Sequence, residues 1–125
     1  MNQVIKIPGP DHPITIKPSR ERVRVMFNGE VVADTTSALV LQEASYKPVF
    51  YIPREDARMA ALERTAHGTH CPYKGDASYY SIRAGGRVAE NAIWSYEQPY
   101  AAMREIAGYL AFYPNRVDAI EVTPA

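Results

Sequence analysis

The dipeptide Asn28-Gly29 constrains this chain more than any other feature of its sequence. It sits between Arg22-Val23-Arg24-Val25-Met26-Phe27 and Glu30-Val31-Val32-Ala33-Asp34, two runs rich in β-branched residues. A two-residue type I′ turn needs positive φ at both central positions, and Asn-Gly tolerates that at little cost. The segment therefore predicts an antiparallel hairpin. Further strands are expected over residues 38–43 and 49–52, with Lys47-Pro48 as the break between them. Another pair is expected over 78–83 and 87–96 around Ala84-Gly85-Gly86, and two closing strands over 109–113 and 117–122 around Pro114-Asn115.

Helices have little room. Pro53-Arg54-Glu55-Asp56 fits a first helical turn, with proline where no donor is needed and acids near the positive end. Residues 59–64 fit helix or strand equally. Pro99 opens a second short helix to about Ala107, where Tyr100, Met103, Ala107 and Leu110 have roughly helical spacing and Gly108 is a natural stop. Residues 1–20 contain Pro8, Pro10, Pro13 and Pro18, which predicts an extended proline-rich arm; within it Ile14-Thr15-Ile16 can add an edge strand. Residues 21–125 then form a single β domain of seven or eight strands. Strands do not alternate with helices, which argues against a doubly wound parallel sheet.

The chain has 125 residues, the length of one domain, and its 14 basic residues balance its 14 acidic ones. That neutrality lacks the electrostatic footprint of a general nucleic-acid binder. A single cysteine excludes an internal disulfide and a four-cysteine zinc site. The longest apolar run, residues 107–113, is too short to span a bilayer. No signal peptide is read at the start, so a cytoplasmic, bacterial-style protein, monomer or homodimer, is the expectation.

Chemistry concentrates in Thr65-Ala66-His67-Gly68-Thr69-His70-Cys71-Pro72-Tyr73-Lys74-Gly75-Asp76-Ala77-Ser78-Tyr79-Tyr80, read as a polar loop followed by a strand. Cys71 is the candidate nucleophile, because nearby positive charge favours the reactive thiolate; the plainer role is a small buried apolar residue. His67 is the candidate base or orienting group, or else it caps a loop. His67, His70 and Cys71 supply only three closely spaced ligands, so no metal and no cofactor are expected. Lys74 is a point charge for a phosphate or carboxylate, with Gly75 letting a ligand approach the backbone; alternatively the pair simply turns the chain. The glycine pattern and following helix of a phosphate-binding loop are missing.

Aromatic residues surround this segment. Tyr51, Tyr73, Tyr79, Tyr80, Trp94 and Tyr96 lie on or beside the central strands, as the wall of a small-molecule pocket would; β cores also bury such rings. Period-two alternation puts Val88, Glu90, Ala92, Trp94 and Tyr96 on one face. If that face is inward, Glu90 is a buried carboxylate that must be paired, with Lys74, Arg54 or a tyrosine hydroxyl as partner. Glu43, Arg54, Glu55 and Asp56 are weaker candidates.

Cys71-Pro72-Tyr73-Lys74-Gly75, with Asn91-Ala92-Ile93-Trp94-Ser95-Tyr96 and Leu110-Ala111-Phe112-Tyr113, resembles the bacterial family catalogued as domain of unknown function 427, which also carries a nucleotidyltransferase label. Matching segments run from Ile7-Pro8-Gly9-Pro10-Asp11-His12-Pro13 to Val117-Asp118-Ala119-Ile120-Glu121, nearly the whole chain. The family pattern falls on His67, Thr69, Cys71, Pro72, Tyr73, Lys74 and Gly75, with His70 at a variable place. The resemblance implies a small antiparallel barrel or the tent-like β fold shared with zinc-binding exchange-factor and methionine sulfoxide reductase domains. The paired Cys-x-x-Cys elements of those relatives are missing, so zinc does not carry over. No Gly-Ser with spaced aspartates supports nucleotidyl transfer.

The functional expectation is an aromatic-lined cleft for an unidentified small molecule, with Cys71 and His67 as the residues that would carry any chemistry; whether the protein is an enzyme is left open. The alternative is a non-catalytic ligand-binding or protein-interaction module in which the Cys-Pro-Tyr-Lys-Gly loop is structural. Stacking of nucleic acid on the sheet is a weaker third idea, opposed by the neutral charge.

Overall fold

The computed structural model describes residues 4–125, organised by ten strands: β1 (Ile14–Pro18), β2 (Glu21–Phe27), β3 (Glu30–Thr35), β4 (Leu39–Glu43), β5 (Val49–Tyr51), β6 (Leu62–Cys71), β7 (Gly75–Ala84), β8 (Arg87–Ser95), β9 (Ala111–Phe112) and β10 (Ala119–Pro124). They form three antiparallel sheets, in the orders β1-β4-β5, β10-β2-β3 and β6-β7-β8-β9. The fold is mostly β, as the sequence predicts, with ten strands among the described residues where seven or eight were expected.

Asn28 and Gly29 take φ of 51° and 76° and close the β2–β3 hairpin. In β2, Val23, Val25 and Phe27 are buried while Arg24 and Met26 are less so, the alternation of a strand with one inward face. In β3 the adjacent Val32 and Ala33 are both buried, because a register shift opposite Val25 and Met26 lets two neighbours turn inward.

The sheets do not close into a barrel. Single bridges, Ala33–Ala57 and Ile52–Leu110, tie β3 to the 3₁₀ segment and β5 to β9 in place of continuous ladders. Pro48 and Pro53 flank β5 and Pro114 closely follows β9, so the donors that would extend that ladder are scarce.

No α-helix occurs among the described residues. The helical stretches are 3₁₀ segments, Arg54–Asp56, Met59–Ala61 and Ala101–Ile106. The ambiguous stretch 59–64 is thus both, one 3₁₀ turn running into β6. In Ala101–Ile106 the buried residues are Met103 and Ile106, spaced by three as a 3₁₀ turn requires, whereas Ala107 is exposed. Gly108, with φ of 76°, ends it.

The stretch from Thr65 to Cys71, expected as a polar loop, is not a loop. It belongs to the ten-residue strand β6, an edge strand exposed along most of its length, and its polarity reflects that exposure. The turn is confined to Pro72-Tyr73-Lys74, with Cys71 paired to Gly75 across it. Gly75 has φ of 109°, a conformation that side chains rarely adopt.

Strand β7 is central to the architecture. Tyr80, Ile82 and Ala84 point into one core with Val23, Val25, Phe27, Ile93 and Phe112. Ala77 and Tyr79, on the other face, join Leu41, Tyr51, Tyr96, Met103 and Ile106 in a second core. Each fully buried aromatic or aliphatic side chain contributes about 1.5–3 kcal/mol of transfer free energy. The candidate site lies against the second core.

Candidate functional site

The register of β1 on β4 places Ile14 opposite Glu43, so His12, just before β1, reaches the end of β4. Its Nε2 lies 2.8 Å from Glu43 Oε2. From the opposite side, the three-residue turn between β6 and β7 carries Lys74 inward, and its ammonium bonds the other oxygen, Glu43 Oε1. Lys74 is 7% exposed, a burial that an ammonium tolerates only when paired. Burial works to raise the Glu43 carboxyl, but the hydrogen bonds from Lys74 and His12 prevail and hold it below the ordinary carboxylate value.

The turn itself is braced. The Tyr73 ring stacks on the His12 imidazole at 4.2 Å and 13°. The amide of Lys6 donates to the Pro72 carbonyl at 2.9 Å, and the Tyr100 amide to the Lys74 carbonyl at 3.0 Å. Gly75 backs onto the main chain of Gln98, Pro99 and Tyr100, at 3.6 Å from where a Cβ would stand. The approach that the sequence reserved for a ligand is therefore occupied by the protein's own backbone. Cys71 is half-buried, with Sγ 3.8 Å from Lys74 Nζ.

Above the Glu43–Lys74 pair opens a cleft of about 190 Å³, walled by Tyr51, Tyr79, Trp94, Tyr96 and Tyr113 and rimmed by Tyr46 and Lys47. Trp94 Nε1 donates to the Tyr51 hydroxyl at 3.2 Å, and the Trp94 and Tyr113 rings lie 4.5 Å apart. The Tyr79 hydroxyl meets Thr69 Oγ1 at 3.0 Å and the Tyr113 hydroxyl at 3.2 Å. Burial raises Tyr51 and Tyr96 well above the ordinary phenol value; burial and the Tyr79 hydrogen bond push Tyr113 up to about 12. All three are hydrogen-bond donors at neutral pH. Among the described residues the Tyr96 hydroxyl has no hydrogen-bond partner.

The residues singled out in the sequence divide among three places. Tyr51, Lys74, Tyr79, Trp94 and Tyr96 line the cleft, and Tyr73, Cys71 and Gly75 form the turn beneath it. Arg54 and Tyr80 belong to a separate polar cluster, where Arg54 donates to the Tyr80 hydroxyl at 3.1 Å and to Glu97 at 3.0 Å. Arg64 bonds the other Glu97 oxygen at 2.9 Å. Burial there works to raise Glu97, but the Ser78 and Tyr80 hydroxyls and the two guanidiniums hold it low.

His67 and Glu90 lie in a third place, a shallow depression shared with Glu63 and Asn91. The His67 ring packs on the edge of Tyr79, centroids 4.4 Å apart at 69°. Glu90 is exposed and is not a buried carboxylate. The β7–β8 register shifts between Tyr80 and Ile82, where residues 90–92 stand opposite Ser81 and Asn91 takes φ of 48°. The alternation resumes across this bulge, since Ala89 and Ile93 both meet the first core; Glu90 is exposed because it borders the open depression beside Val88, Ser81 and Arg83. A matching shift between Arg64 and Gly68 displaces His67 in β6. Glu43, a weak candidate from sequence, is the centre of the site, and His12 is a residue that sequence reasoning missed, present only within the family-like segment. Among the described residues no three His, Cys, Asp or Glu side chains gather as a metal would need.

A family model described as a domain of unknown function, DUF427, matches residues 15–123. The chain belongs to the DUF427 family. No curated protein matches it. The DUF427 match spans β1 to β10 and so contains Glu43, Cys71, Lys74 and Trp94, while His12 lies just before it. Among the described residues no helix is long and apolar enough to cross a membrane.

Proposed function

We propose that this DUF427 protein binds a small molecule in the cleft beside Trp94, with the rings as walls and the Glu43–Lys74 pair as a polar floor. One observation carries the reading: five aromatic side chains from β5, β7, β8 and the segments after β8 and β9 converge on one concavity with a buried ion pair at its base. Small-molecule sites have this composition, mostly apolar with a few placed polar groups. The lone thiol, with no disulfide to lose, suits a reducing cytoplasm.

The test is a thermal-shift screen of metabolites, followed by titration of Trp94 fluorescence. A ligand bound only by the native state raises the midpoint, and Tyr96→Phe should weaken such a ligand about tenfold, roughly one hydrogen bond. A library in which every compound leaves both midpoint and emission unchanged would end the proposal.

Turnover through Cys71 is the second reading, favoured by the ammonium 3.8 Å from its sulfur. His67 gives it no geometric help, since its ring packs on Tyr79 and faces another depression. A thiol that resists alkylation in the folded protein would remove this reading and leave the binding one intact.

A further inference from the structure

Trp94 lines two cavities. Beside the polar cleft lies a second pocket of about 350 Å³ whose lining residues are all apolar. Val23 and Val25 of β2, Phe50 of β5, Ile52, Phe112 of β9 and Ile120 of β10 form most of its wall. Val49 and Trp94 border both spaces. The spaces adjoin because β5 and β9 share no ladder: the Ile52–Leu110 bridge is the pairing between them among the described residues. Trp94 and Val49 occupy the seam that a continuous sheet would have sealed.

We propose that cleft and pocket are one site for an amphiphile, a medium-chain aliphatic carboxylate, with its head near Lys47, Lys74 and Tyr96 and its chain past Trp94 in the apolar pocket. This rests on the cleft reading above and gives its ligand a chemical class. The side chains that line the pocket offer a polar group no partner and its wall is mostly apolar, so it favours hydrocarbon. The cleft, by contrast, is rich in donors. Lys47 has no ion-pair partner among the described residues. Lys74 has three donor positions, of which Glu43 and the Cys71 sulfur take two. The Tyr51 hydroxyl accepts from Trp94 and keeps its own proton to give, and Tyr96 is free. Among the described residues the one carboxylate lining the cleft, Glu43, is already engaged through both oxygens. An anionic head finds partners in this set; an ammonium head meets like charge.

The experiment titrates the full chain with butanoate, hexanoate, octanoate, octanol and octylamine, reading the emission of Trp94, the chain's only tryptophan, and the thermal midpoint. Affinity should rise about fourfold per added methylene from butanoate to octanoate, the worth of a buried CH₂. Octanoate should bind at least about tenfold tighter than octanol or octylamine, the worth of about one charge-assisted hydrogen bond. Lys47→Ala, an exposed change, should narrow the octanoate–octanol gap. Ile120→Phe, at the half-buried rim, should flatten the chain-length dependence while leaving butanoate binding in place. Equal affinity for butanoate and octanoate, or for octanoate and octylamine, overturns the proposal. If these probes fail but another compound binds with a Tyr96-dependent affinity, the amphiphile class is wrong and the cleft reading survives. If no compound of any class binds, both fall.

Discussion

Lys74 and Glu43 lie 31 residues apart in the chain and form one buried ion pair. The pair joins the β6–β7 turn to the end of β4, and His12 completes it by engaging the second carboxylate oxygen at 2.8 Å. Three segments that are remote in sequence are thereby held together under the cleft. Each partner removes a desolvation cost that the other would otherwise bear alone.

A double-mutant cycle should expose that dependence. Glu43→Gln leaves the Lys74 ammonium buried without a counter-charge and should cost about 2–3 kcal/mol, somewhat less than breaking a fully buried pair because Glu43 is partly accessible. Lys74→Met keeps the His12 contact for Glu43 and should cost less, about 1–2 kcal/mol. The double variant should be more stable than the sum of the two losses, with a coupling of at least about 1 kcal/mol. Urea midpoints measure all four corners, and simple additivity would show that the pair contributes no mutual stabilisation.

Acid stability should carry the same signature. The Glu43 carboxyl is held below its ordinary value of 4.5. A depressed folded pKa means a stabilisation fully present above the unfolded value and lost as pH falls through the folded one. Wild-type stability should therefore drop below about pH 4.5, the unfolded carboxylate range, and the drop should be shallower in Glu43→Gln. Parallel pH profiles for the two proteins would contradict the assignment.

Much of the fold is legible in the sequence because local rules decide it. Asn28-Gly29, Gly85-Gly86 and Gly108 stand where positive φ is needed, and the alternation in β2 reports its buried face directly. The edge strand β6 is not legible in that way, since a solvent-facing strand has no apolar period and reads as loop. The exposure of Glu90 is hidden for a related reason. Alternation assigns a strand residue to a face, but not whether another element covers that face at its end of the sheet. In the site, Tyr51, Tyr79 and Trp94 could be read from their placement on strands, and Lys74 from its place in the turn motif after Cys71. Glu43 and His12 could not, because their importance comes from the β1–β4 register, a long-range pairing.

The two glycines of the β7–β8 turn should separate backbone strain from contact. Gly85 and Gly86 have φ of 60° and 81°, but a Cβ on Gly86 meets nothing, whereas one on Gly85 would stand 2.3 Å from Asn28 Nδ2. That amide donates to the Ala84 carbonyl at 2.9 Å and ties one hairpin to the other. Gly86→Ala should cost about 1–2 kcal/mol for the left-handed conformation alone. Gly85→Ala should cost about 1 kcal/mol more, the hydrogen bond that Asn28 must give up. In an Asn28→Gly background, where that hydrogen bond is already lost, Gly85→Ala should cost no more than Gly86→Ala; denaturation curves of the otherwise native chain in which Gly85→Ala and Gly86→Ala coincide would refute the contact.

Trp94 offers a direct optical view of the cleft. Its indole donates to the Tyr51 hydroxyl at 3.2 Å, with the two rings nearly perpendicular at 86°. Tyr51 is 1% exposed, so Tyr51→Phe keeps the ring in place and removes only the acceptor. The indole N–H is then left to whatever water the cleft admits. A cost of about 1 kcal/mol is expected, the net worth of one neutral hydrogen bond, together with a shift in Trp94 emission as its polar partner changes. Tyr96→Phe, by contrast, deletes a hydroxyl with no protein partner and should leave both stability and emission of the free protein nearly unchanged. The comparison separates a hydroxyl that supports the wall from one available to a ligand. Equal losses in the two variants would mean that the Tyr96 hydroxyl is engaged within the protein, and the donor-rich reading of the cleft would lose one of its members.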